Sequence, residues 1–84
     1  MNNNRPYFIW DYDYTEADVR QMIQSGTEYE KRWALSRLLE SARLEDVWTY
    51  ASYDQVREYF PTLKLKPVVR HVWQEAFKVW DQLD

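Results

Sequence analysis

The sequence predicts an all-α domain, a compact bundle of four or five short helices with an extended aromatic N-terminal arm. Three observations carry that expectation. Apolar residues recur at i, i+3 and i+4 through most of the chain, as one face of a helix requires. Threonines followed three residues later by an acidic residue mark two helix starts. Residues 62–66 alternate polar and apolar residues, but no second strand is evident for them to pair with. With 84 residues there is room for one domain and one core, and an aromatic content of 18% gives that core large rings to bury.

Along the chain, residues 1–6 read as a flexible N-terminus and residues 7–84 as one helical domain. Pro6 favours an extended lead-in to residues 7–14, where Tyr7, Phe8, Trp10, Tyr12, Tyr14 and Ile9 are interrupted only by Asp11 and Asp13. Thr15 with Asp18 starts the first helix, whose stripe is Val19, Met22 and Ile23. Ser25-Gly26 ends it, with Gly26 suited to a left-handed C′ position. Thr27 with Glu30 starts the second, from about residue 28 to residue 42, with Leu35, Leu38, Leu39 and Ala42 facing the core.

At roughly 100° per residue, Tyr29 and Trp33 fall off that stripe, so a second aromatic face needs a cover. The third helix carries Leu44, Val47, Trp48 and Ala51 on one face, with Tyr50 off it. Ser52 caps a fourth, which carries Tyr53, Val56, Tyr59 and Phe60 until Pro61 stops it. Residues 62–66 read as an extended connector with Leu63 and Leu65 turned inward. Pro67 then opens a fifth helix. Val69, Val72, Trp73, Ala76 and Trp80 form its face, widened by Val68, Phe77 and Val79, which predicts a central position. The core is expected around Trp48, Trp73 and Trp80, with the arm strapped outside, Phe8 and Trp10 inward.

A net charge of −3 argues against a protein that coats nucleic acid non-specifically. The charge is uneven: residues 1–56 hold six Lys/Arg and ten Asp/Glu, residues 57–80 five and two. The absence of cysteine rules out disulfides and thiolate zinc sites. No apolar run reaches the ~20 residues of a membrane span and residues 1–5 lack the core of a signal peptide, so a cytoplasmic protein is expected.

Asp11-Tyr12-Asp13 is a tight carboxylate pair of the kind that holds a hard cation in phosphoryl transfer. It lacks both a third carboxylate and a Gly-rich phosphate cradle. The two aspartates are therefore expected to keep alternate positions solvated, with no metal or cofactor. His71, the sole histidine, has no orienting partner or nucleophile in evidence and reads as a solvated side chain. No catalytic residue is assigned, and the chain is expected not to be an enzyme. Lys64, Lys66, Arg70, His71, Gln74 and Lys78 outline a polar face on and before the last helix, an alternative reading as a small DNA-binding regulator. Against it stand the connector, longer than that of a helix-turn-helix, and the apolar bulk of the helix. Tyr12, Tyr14, Tyr29 and Trp33 are the candidate partner-binding residues.

Three segments carry a resemblance: Phe8-Ile9-Trp10-Asp11-Tyr12-Asp13, Leu44-Glu45-Asp46-Val47-Trp48, and Leu63-Lys64-Leu65-Lys66-Pro67 before a Trp-containing helix. Together the chain resembles a small bacterial helical family of uncharacterised function whose openings read approximately Phe-Trp-Asp-Tyr-Asp; here Ile9 separates Phe8 from Trp10. Such proteins resemble those encoded beside nucleotidyltransferase-type abortive-infection toxins. The resemblance implies a non-enzymatic, antitoxin-like protein partner, with acidic residues of the first two helices meeting a basic cleft. Self-association and docking of the arm in cis or in trans both stay open.

Overall fold

A computed structural model describes residues 6–9 and 11–82. Five α-helices and no strand occur among them: α1 (Glu16–Ser25), α2 (Glu28–Ser41), α3 (Leu44–Tyr50), α4 (Tyr53–Tyr59) and α5 (Pro67–Asp81). Short 3-10 turns at Tyr7–Ile9 and Phe60–Thr62 complete the chain. The expected flexibility of residues 1–5 and inward position of Trp10 lie outside the described residues.

The helix starts follow the sequence signals. Thr15 and Thr27 each form a reciprocal capping box, with the Asp18 and Glu30 carboxylates accepting from the cap amides. Ser52 accepts from the Gln55 amide at the start of α4. Gly26 departs from expectation. Its backbone is extended (φ −77°, ψ −179°), not left-handed. Glycine is required there for space: a Cβ would lie 2.6 Å from the Met22 carbonyl oxygen and 2.7 Å from Glu30 Oε1. The α1–α2 corner is tight because two helices and a capping carboxylate meet at that atom.

The centre of the molecule is α2, not α5 as its width of apolar face suggested. α2 packs against α1, α3, α4 and the Tyr7–Ile9 turn, and Ala34, Leu35, Leu38 and Leu39 are buried along it. α5 lies at the edge, where Val68, Val72 and Val79 stay 67%, 58% and 57% exposed. The deepest side chains are Phe8, Ile9, Val19, Ile23, Leu35, Leu38, Val47 and Val56, so the core is also not centred on the tryptophans. Trp48, Trp73 and Trp80 form a separate edge-to-face trio, centroids 5.8–6.0 Å apart, that fastens α3 to α5. Of the three only Trp73 is buried; the others are partly covered.

The N-terminal segment is the largest difference from expectation. Phe8 turns inward as expected, but the segment is no external strap at its start: Pro6 and Ile9 are buried with it, and Phe8 packs edge-on against Tyr50 at 5.3 Å. Tyr50 is thereby buried too, despite lying off the expected stripe of α3. The turn forms because the Ile9 amide bonds back to the Pro6 carbonyl at 3.2 Å, leaving Phe8 and Ile9 to point together into the core. Truncation of a buried phenylalanine costs about 3–5 kcal/mol, so this turn belongs to the fold.

Two aromatic groups complete the C-terminal end of α2. The Arg43 amide, next in line for the Leu39 carbonyl, donates instead to the Tyr7 hydroxyl at 2.7 Å, and that hydroxyl donates to Asp46 at 2.6 Å. The Leu39 carbonyl accepts from the Trp73 indole at 3.2 Å. Helix ends leave such groups without intrahelical partners, and here they tie both ends of the chain to α2.

At its far end α5 is held by Asp81, which accepts from the Tyr53 hydroxyl and, at 2.6 Å, from Arg57. The Tyr53 hydrogen bond, then Arg57, lowers the Asp81 carboxyl below its ordinary 3.8. A carboxyl lowered by folding stabilises the fold above the unfolded value and loses that effect as pH falls through the folded one. Asp81→Asn is therefore expected to lower the urea midpoint near neutral pH, with the difference from the parent shrinking below about pH 4. Urea melts of both proteins between about pH 6 and pH 3 check this.

Candidate functional site

On α2, Tyr29, Arg32, Trp33 and Ser36 follow one another at i, i+3, i+4 and i+7, so they share a face turned away from the buried stripe. Trp33 is half-buried because the arm covers it from one side. Tyr12 and Tyr14 stack in parallel at 5.9 Å, and each meets the indole edge-on, at 5.0 and 5.7 Å. Tyr29 is left uncovered, 73% exposed, and Tyr12 is 45% exposed. The expected cover of the second aromatic face thus reaches Trp33 and stops short of Tyr29.

Arg37 fixes this arrangement. Its guanidinium is ion-paired with Asp11, donates to the Phe8 carbonyl at 3.4 Å, and lies 5.9 Å from the ring centroids of both Tyr12 and Trp33. Asp11 is therefore part of an anchor for the arm. No group of three or more His, Asp or Glu able to hold a metal occurs among the described residues.

The ridge of Tyr12, Tyr14 and Trp33 has unlike flanks. On one side a cleft of about 530 Å³ is lined by Tyr29, Arg32, Trp33, Ser36, Thr62 and Lys64, two cations and no carboxylate. On the other a smaller cleft of about 420 Å³ is lined by Tyr14, Met22 and Gly26 together with Asp13, Asp18 and Glu30. The structure thus brings Tyr12, Tyr14, Tyr29 and Trp33 into one surface. It also adds Lys64 to them, a residue grouped by sequence with the last helix.

Lys64 reaches the cleft through the alternation of its connector. Leu63 is 3% exposed and Leu65 is packed on the core, so Thr62, Lys64 and Lys66 face outward. The connector is pinned by the Lys66 amide donating to Glu40 at 2.9 Å and by Arg70 donating to the Leu63 carbonyl. Arg70 also stacks over Phe60 at 4.9 Å. It is thereby turned toward the connector. Lys78 is exposed and paired with Glu75 at 3.1 Å. Of the six polar residues proposed for nucleic acid, Lys64 lines the Tyr29 cleft, Gln74 and Lys78 line another beside Arg57, and Arg70 is engaged by the connector.

Arg32 and Ser36 were missed by sequence reasoning; their spacing from Tyr29 and Trp33 is the signal that finds them. Among the described residues no helix is long and apolar enough to cross a membrane. Compared with protein-family models, curated proteins and solved structures, the chain has no match.

The ridge geometry separates structural from exposed rings. Trp33→Ala is expected to destabilise the protein by about 2 kcal/mol through loss of two aromatic pairs, whereas Tyr29→Ala changes stability by less than about 0.5 kcal/mol. Urea denaturation followed by tryptophan fluorescence and far-UV circular dichroism distinguishes them.

Proposed function

We propose that the chain is a non-enzymatic protein-interaction module that docks a partner on the Tyr12–Tyr14–Trp33 ridge and the adjoining Tyr29. The observation that carries this reading is a set of large rings left accessible yet held in place. Tyr12 and Tyr29 are 45% and 73% exposed, while Arg37, Asp11 and the Tyr14–Trp33 contact fix the ridge. Rigid aromatics lose little conformational freedom on binding, and they dominate the energetics of protein interfaces. The acidic flank (Asp13, Asp18 and Glu30) and the basic flank (Arg32 and Lys64) give the ridge a direction. A partner with complementary flanks docks one way round.

The resemblance in the three sequence segments supports a specific partner, the nucleotidyltransferase-type toxin encoded beside such proteins, and an antitoxin-like role. The acidic flank supports contact with a basic cleft of that partner. The sequence lacks the Gly-Ser and spaced aspartates of a nucleotidyltransferase, which favours the non-catalytic role in such a pair.

Co-expression and pull-down with the neighbouring gene product test the reading. Capture of the neighbour and relief of its toxicity are expected, with Tyr12→Ala and Tyr29→Ala each weakening binding about thirtyfold, as interface hot spots do. A partner that ignores the protein, or binds both variants as tightly as the parent, overturns it.

A further inference from the structure

The cleft on the basic flank has a composition that a protein-docking surface does not require. Its floor is one face of α2, Tyr29, Arg32, Trp33 and Ser36; its opposite wall is Thr62 and Lys64 from the connector. The chain carries a net charge of −3, yet this cleft gathers two cations without a lining carboxylate. Neither cation is strongly engaged. Lys64 has no ion pair among the described residues. Arg32 meets only the exposed Glu28 at 3.8 Å, a carboxylate that also accepts from the Tyr59 hydroxyl at 2.8 Å. Exposed pairs of this kind are weak.

The remaining lining groups are rings and hydroxyls. Tyr29 and Trp33 stand one helical turn apart and both line the cleft. Thr62 donates its hydroxyl proton to the Tyr59 carbonyl at 2.7 Å, so its oxygen is left as an acceptor toward the cleft. Arg32 offers a planar fork and Lys64 a mobile point charge, a combination suited to phosphate oxygens. The wall is also preorganised: Leu63, Leu65 and the Lys66–Glu40 hydrogen bond hold Lys64 outward. A volume of about 530 Å³ falls in the range of small-ligand pockets.

We propose that this cleft binds a nucleoside phosphate, its base against Tyr29 and Trp33, its phosphate between Arg32 and Lys64, and a ribose hydroxyl on Thr62. The same chemistry is offered by a free nucleotide and by a nucleotide of a single strand. Bases stack on aromatic side chains without sequence preference, and the paired cations account for the phosphate. An acidic peptide without aromatic or apolar side chains would use the cations and leave the rings without a role. This assignment goes beyond the docking reading and is measured with no protein partner present.

The test is a ¹H–¹⁵N NMR titration of the full chain with ADP, adenosine, inorganic phosphate and a short single-stranded oligonucleotide. ADP is expected to shift the Trp33 indole signal and the amides of residues 29–36 and 62–64. Adenosine and inorganic phosphate are each expected to bind roughly tenfold more weakly. Lys64→Ala and Tyr29→Ala, both at exposed positions, should each weaken ADP about tenfold, while Lys78→Ala leaves it unchanged. Tighter binding of the oligonucleotide than of ADP assigns the single strand as the source, and weaker binding assigns the free nucleotide. The proposal is overturned by absence of shifts at millimolar ADP, by shifts centred on α5, or by phosphate binding as well as ADP. Unchanged ADP binding in Lys64→Ala, or tighter binding of a phosphopeptide at the cleft, overturns it equally.

Discussion

The fold depends on how α2 ends. A helix C-terminus leaves carbonyls without donors and frees the amides that follow it, and here both chain ends supply the missing partners. The Tyr7 hydroxyl accepts from Arg43 and the Trp73 indole donates to Leu39. The first bond brings Phe8 and Ile9 into contact with the core; the second seats α5 beside its tryptophan trio. Apolar burial supplies most of the stability, but these two hydrogen bonds decide which residues are available to be buried.

From the buried turn the arm leaves in one direction. Arg37 holds both the Phe8 carbonyl and Asp11, so Tyr12 and Tyr14 land on Trp33 and the ridge takes its place over α2. The same helix thus serves two surfaces. Its inner face is core, and its outer face is an aromatic floor lying between an acidic and a basic flank. The alternation of Leu63 and Leu65 with Lys64 sets the far wall. Structural residues on one side of each element position the accessible ones on the other.

Local signals were read well from sequence. The two capping boxes, the α4 cap, the inward turn of Leu63 and Leu65, and the off-stripe position of Trp33 are all fixed by residues within one or two helical turns of one another. What escaped was long-range. α5 carries a wide apolar face, which in periodicity is indistinguishable from that of a central helix, and only its place at the edge shows that Val68, Val72 and Val79 stay exposed. Tyr50 lies off its helix's stripe and is buried because Phe8 arrives from 42 residues earlier. Gly26 was placed correctly for the wrong reason, since space around a neighbouring carbonyl is not written in local sequence. In the candidate site Tyr29 and Trp33 stood out for their chemistry. Lys64 joins them in one cleft because the fold of the connector, not its spacing, decides where it points.

The central claim is that the N-terminal turn is core and not an appendage. Urea denaturation of Phe8→Ala beside the parent chain tests it most directly. The account predicts a loss of about 3–5 kcal/mol, a large part of the stability of a small domain. A loss of no more than about 0.5 kcal/mol, the range of a surface position, with the cooperative transition intact, would contradict it.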